Sequence, residues 1–146
     1  MTIVFDTNVL FAAFVTSGLC AELYETARDL GAIRISESIA AELRANLVAK
    51  AGLSRAEADA VLAMIGRDAE LVALRSLDAP ACRNADDDWI LATALSAEAD
   101  CIVTGDKDLL VLQSFHGIPI LDPRRCLEWI ASMSPCERNR DAAPPG

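Results

Sequence analysis

Apolar positions change period along this chain, and each change marks an element. Ile3, Val4 and Phe5 form a short unbroken apolar run that stops at Asp6. β-branched and aromatic residues favour extended backbone, and a run without polar alternation suits a strand covered on both faces. Asp6 and Asn8 sit at its carboxyl end, ahead of the apolar, helix-compatible residues 9–14. Over residues 17–30, Leu19, Leu23 and Ala27 recur at spacings of four, which predicts a helix with Gly31 as its stop. Residues 32–35 read as a second strand, and Ser36 as the cap of a helix with the apolar line Ile39, Leu43 and Leu47 that ends near Gly52.

Ser54 and Glu57 have the capping-box spacing, and Ala58, Val61, Leu62 and Ile65 extend that helix to Gly66. Residues 70–74 read as a third strand and 76–85, with Pro80 and Asn84, as a loop. Asp86, Asp87 and Asp88 open a helix to about Glu98, and residues 101–103 form a fourth strand that ends at Thr104-Gly105-Asp106. A short helix over 108–113, a last strand over 118–121 and a closing helix from Pro123 to about Met133 complete the pattern. Strands and helices alternate throughout, which predicts one three-layer α/β/α domain over residues 1–133 with a mostly parallel sheet of about five strands. The polar residues 134–146 are expected to be a frayed, disordered tail.

With 146 residues the chain can bury about two thirds of its unfolded surface, so it needs neither disulfide nor metal merely to fold. Hydrophobic residues make up 53% but aromatics only 5%, a core of Ala, Leu, Ile and Val that suits helices packed on a parallel sheet. There is no apolar run of membrane-spanning length and no signal-peptide pattern at the start, so a soluble, cytoplasmic protein is expected. Cys20, Cys82, Cys101, Cys126 and Cys136 are odd in number and never spaced C-x-x-C, consistent with reduced thiols. Since His116 is the only imidazole, a cysteine nucleophile is disfavoured. The formal net charge of −9 excludes a broad nucleic-acid-gripping surface, makes any such contact local, and favours a cationic partner, metal or polypeptide.

The chemistry is carried by acids. At about 100° per residue, Ile90, Leu91, Ala94 and Leu95 define one helix face. Asp87, three residues before Ile90 and four before Leu91, shares that face and is directed toward the end of the sheet. Asp86 and Asp88 flank it and suit the positive helix N-terminus, although a one-residue shift would put either in its place. Glu42 lies on the shoulder of the Ile39-Leu43-Leu47 stripe, where a solvated glutamate is the commoner outcome. Asp106 follows a strand as Asp6 does; Asp108 could be a further ligand or a helix cap, and Asn8 could orient a water or carboxylate or cap the first helix. Should Asp6, Asp87 and Asp106 converge, their like charges need a cation, and an all-oxygen donor set favours Mg²⁺ or Mn²⁺. Such an ion promotes phosphodiester hydrolysis.

Four segments carry a family resemblance: residues 4–10, the helix over 36–43 with Glu42, residues 87–94, and residues 102–110. In this order and spacing they resemble the PIN-domain ribonucleases, most closely bacterial toxins of the VapC-like kind. The resemblance implies a PIN-like parallel sheet flanked by helices, with Asp6, Glu42, Asp87 and Asp106 binding one or two Mg²⁺ or Mn²⁺ ions. It implies hydrolysis of single-stranded RNA, with Asn8, Thr104 and Asp108 orienting waters or carboxylates around the metal. It further implies a cognate antitoxin seated in or over the cleft, and a homodimer. Few cations are left to hold RNA, and Arg44, Lys50, Arg75, Arg83 and Lys107 are candidates; Trp89 is expected in the core, with base stacking as its alternative.

Two rivals differ in kind. An aspartate-nucleophile phosphatase needs a second Asp two residues after the first, where this chain has Asn8, and a phosphoacceptor domain needs an Asp after a middle strand, where it has Arg75 and Ser76. A catalytically inactive PIN-like module binding RNA or a protein should show a gap in the acidic set, and no gap is visible.

Overall fold

The computed structural model describes residues 1–74 and 85–133, with the backbone alone for 85–88. In chain order the elements are β1 (Ile3–Phe5), α1 (Thr7–Val15), α2 (Leu19–Asp29), β2 (Ile33–Ile35), α3 (Glu37–Ala49), α4 (Arg55–Asp68) and β3 (Glu70–Leu71). They continue as α5 (Ala85–Ala97), β4 (Cys101–Val103), α6 (Lys107–Leu110), β5 (Ser114–Phe115), β6 (Ile118–Leu121) and α7 (Pro123–Ser132). Arg75, the expected loop over 76–85 with Cys82 and Arg83, and the tail with Cys136 fall outside the described residues, apart from Ala85, which begins α5.

The strands form one sheet in the order β3-β2-β1-β4-β6-β5, parallel except for the antiparallel β5–β6 pair. Every residue of β1 and β4 is buried, so both faces of the sheet centre are covered, which gives the expected three layers. Register is fixed there by Ile3 opposite both Ile33 and Cys101, and by Phe5 opposite Val103. From β1 the chain steps to β2 and β3 on one side, then crosses to β4 on the other. The order therefore reverses between β1 and β4, where open α/β sheets leave a crevice beyond their carboxyl ends.

The helices bury the lines read from sequence: Leu23 and Ala27 on α2, Ile39, Leu43 and Leu47 on α3, and Ile90, Leu91 and Ala94 on α5. Ser36 caps α3 through Ile39 N–H, and the Ser54–Glu57 capping box is formed at α4. Cys101 and Cys126 are buried free thiols with their sulfurs 4.0 Å apart, as core-filling cysteines should be.

Four details differ from expectation. Helix α4 runs through Gly66 to Asp68, because Ala69 N–H still finds Ile65 C=O and one mid-helix glycine costs only about 1 kcal/mol. The third strand ends at Leu71, both of its residues being exposed at the sheet edge. The short helix begins at Lys107 and ends by Leu110. A sixth strand, β5, pairs with β6 through a two-residue turn in which His116 and Gly117 have φ of 50° and 80°. Positive φ at both central residues is what a type I′ hairpin requires, and a His-Gly pair advertises it less plainly than Asn-Gly.

The burial contrast predicts unequal costs for one chemical change. Leu43→Ala, in a fully buried site, should destabilise the fold by about 2–5 kcal/mol, whereas Leu71→Ala, at 59% exposure, should cost under about 1 kcal/mol in urea unfolding.

Candidate metal centre

The hydrogen-bond ladder does not stop where the strands do. Asp6 N–H donates to Val103 C=O at 2.9 Å and Thr104 N–H to Leu121 C=O at 3.0 Å, so the sheet itself places Asp6 and Thr104 at the carboxyl rim of β1 and β4. Asp6 is also the residue from which α1 starts, its C=O accepting from Val9 and Leu10 N–H. Asn8 accordingly lies inside the first turn of α1, exposed, and does not cap that helix.

From this rim a chain of polar contacts runs to Asp106. Thr104 Oγ1 donates to Asp6 Oδ2 at 2.6 Å and accepts from Asp106 N–H at 3.0 Å, which uses its single proton on the carboxylate. Asp106 Oδ1 accepts from Asp108 N–H at 2.9 Å and caps α6. The capping role allowed for Asp108 therefore belongs to Asp106, and the Asp108 side chain is exposed. Thr104 is buried and Asp106 half-buried.

Asp6 is only 5% exposed. Burial pushes its pKa above the ordinary 3.8, against the pull of the Thr104 hydroxyl and the nearby Asn8 and Thr7 amides, and the Asp106 charge pushes it up further. Those two amides favour the carboxylate by proximity, without the geometry of a side-chain cap. Two carboxylates that repel each other at the switch point of a parallel sheet form a donor set suited to a hard divalent cation. The hydrogen bonds named engage one oxygen of each, Oδ2 of Asp6 and Oδ1 of Asp106.

The other expected residues are placed less directly. Glu42 is half-buried on α3. Asp87 lies in the first turn of α5, where its side chain is outside the described residues, as are those of Asp86 and Asp88. Among the described residues no three acids, histidines or cysteines gather into a metal-binding cluster. Arg44 is held by Asp59 at 2.6 Å on the α3–α4 surface, where it lines an apolar groove of about 460 Å³. Lys107 is exposed one residue from Asp106, and Lys50 is exposed at the end of α3. Trp89, expected in the core, is 45% exposed. Its neighbours Ile90 and Leu91 take the buried face of α5, and a residue one step away at about 100° falls at its margin.

Sequence reasoning passed over Thr93. It is fully buried on the Ile90-Ala94 face of α5 and bonded across to Ser36. A hydroxyl inside an otherwise apolar helical face was the available signal, since such a group needs a partner.

A family model described as PIN domain matches residues 2–108. Among solved structures, a chain of VapBC2 from Rickettsia felis, bound to a DNA fragment from their promoter, matches with a TM-score of 0.61 at 14% identity. The match covers 84% of this chain and 98% of that one, and at such identity it is a likeness of fold. No curated protein matches in sequence.

The environment of Asp6 sets a sign for stability. An acid whose pKa is raised in the folded state holds its proton more tightly there, so its contribution is present below the unfolded pKa of 3.8 and is lost as pH rises through the folded value. Asp6→Asn should therefore raise the Tm at pH 7 in the absence of divalent cations, and the gain should shrink as pH falls towards 3.8; calorimetry across pH checks both.

Proposed function

The chain belongs to the PIN-domain family, and from that premise we propose that it is a divalent-metal-dependent endoribonuclease cutting single-stranded RNA, the toxin half of a toxin–antitoxin pair. The observation that carries this reading is the Asp6-Thr104-Asp106 chain at the β1/β4 switch point, where a buried, destabilised carboxylate faces a second one. Asp6 and Asp106, joined by Asp87 from α5 and Glu42 from α3, would hold one or two Mg²⁺ or Mn²⁺ ions. When bound, such an ion supplies a Lewis acid for a phosphoryl oxygen and lowers the pKa of water.

The protein's own part is orientation. Thr104 commits its proton to Asp6 Oδ2 and so fixes the carboxylate's rotation, while the α6 cap fixes that of Asp106. Asn8 and Asp108, both exposed beside these acids in sequence, would orient water at the rim. RNA contact would be local, as the charge balance demands: Lys107 beside Asp106 for a phosphate, with Arg83 a further candidate, and Trp89 for stacking an unpaired base. Arg44 would have to leave Asp59 to take part.

An antitoxin partner follows from the VapC-like resemblance, with the fold likeness to a VapBC2 chain in support, and the net charge of −9 favours a basic segment in its contact surface. A homodimer and a cytoplasmic location complete the reading. Among the described residues no single helix is long and apolar enough to cross a membrane.

Incubation of purified protein with single-stranded RNA and Mn²⁺ should give cleavage that chelation abolishes and that Asp6→Ala or Asp106→Asn lowers by about 100-fold or more. Cleavage that survives chelation and both substitutions would overturn the mechanism. Mn²⁺ at about 100 times its Kd should also stabilise the native protein by about 2.7 kcal/mol. An unchanged Tm at millimolar Mn²⁺ would count against a formed site.

A further inference from the structure

Among the described residues a further buried polar relay lies away from the Asp6-Asp106 chain, between the two helices expected to carry the remaining acids. Ser36 Oγ accepts from Ile39 N–H at 3.3 Å, and Thr93 Oγ1 lies 2.8 Å from Ser36 Oγ and 2.6 Å from Trp89 C=O. Proton counting orders these contacts. A carbonyl can only accept, so the single Thr93 proton goes to Trp89, and the Ser36 proton must then go to Thr93. The relay runs Ile39 N–H to Ser36, Ser36 to Thr93, and Thr93 to Trp89 C=O, with every donor used.

Both hydroxyls are fully buried. Helix capping explains Ser36 alone, and a Thr hydroxyl bonded to the carbonyl four residues back is a local helix habit that slightly disfavours the helix. Neither explains the bond that joins them across 57 positions of sequence. A well-packed Ala-Val pair could serve the core about as well, because net stabilisation by a buried hydrogen bond is modest. What the hydroxyls add is direction: one rotation and one depth of α5 against the start of α3.

We propose that Ser36 and Thr93 are positioning residues that hold the acid-bearing first turn of α5 in register with α3, and so set the affinity of the metal centre. This rests on the proposed metal-dependent reading and adds to it two residues that do not touch the ion. Thr93→Val removes the hydroxyl and keeps the shape; Thr93→Ser keeps the hydroxyl. Ser36→Ala removes the cap as well and is the less specific change.

The test is the Mn²⁺ concentration giving half of the maximal Tm increase, measured with the metal-free Tm and with Trp89 fluorescence anisotropy in a Trp129→Phe background. The expected result is a midpoint raised about ten-fold in Thr93→Val and within about two-fold of wild type in Thr93→Ser, with lower Trp89 anisotropy in the former alone. A Thr93→Val protein that melts lower yet keeps the wild-type midpoint has lost only a structural bond, and the proposal fails. Should Thr93→Val not fold, Thr93→Ala is read in the same way. A wild type whose Tm ignores Mn²⁺ instead overturns the metal reading underneath, a result distinguishable because it appears before any substitution is made.

Discussion

The sheet forces a carboxylate out of water. Asp6 continues the β1 ladder by bonding Val103 and starts α1 with its own carbonyl, so its backbone has no freedom to carry the side chain back to solvent. One hydroxyl and two nearby amides offset part of the desolvation, and Asp106 adds repulsion, leaving the acid with a raised pKa. In the proposed reading that unfavourable acid is there to hold a cation, and the surrounding features act as its support: the strand order that opens a crevice between β1 and β4, the Thr104 hydroxyl, and the short helix capped by Asp106.

That support also bears on an apparent conflict between charge and substrate. A protein with net charge −9 repels a polyanion over most of its surface. In the proposed reading, a divalent ion at the rim of the sheet reverses the local field, so the acids that would exclude RNA become the means of engaging it. Recognition would then be confined to a few nucleotides around the ion. The exposed Lys107 and the half-exposed Trp89 suit such a short footprint.

The central strands were legible because their residues leave little choice. Ile3-Val4-Phe5 and Cys101-Ile102-Val103 lack polar alternation and occupy doubly covered positions, and the helical lines of Leu23 and Ala27, and of Ile39, Leu43 and Leu47, match the buried faces. The ends of elements were less legible, since they depend on single bonds rather than on periodicity. Gly66 reads as a stop until Ala69 is seen bonded to Ile65, and Asp108 reads as a cap until Asp106 takes that place. At the candidate site, the placement of Asp6 and Asp106 at the carboxyl rim was readable from their positions after strands. The Thr104 link between them needs a side-chain geometry that no spacing encodes, although the family resemblance had already placed Thr104 beside the metal. Trp89 went astray for a related reason: a residue at the margin of an apolar helix face can turn either way, and only the packing of Ile90 and Leu91 decides it.

The two ends of the sheet are built alike in one respect. On one side it closes with the two residues Glu70 and Leu71, and on the other with the two residues Ser114 and Phe115, turned antiparallel by the His116-Gly117 hairpin. Glu70 is also tied back to Arg34 on the adjacent strand, at 3.3 Å. A neighbouring molecule seeking to add its own strand finds a template too short to repay the loss of its freedom, and on one border an anion as well. Brevity at both borders, rather than a long flat edge, is thus what discourages strand addition to this sheet.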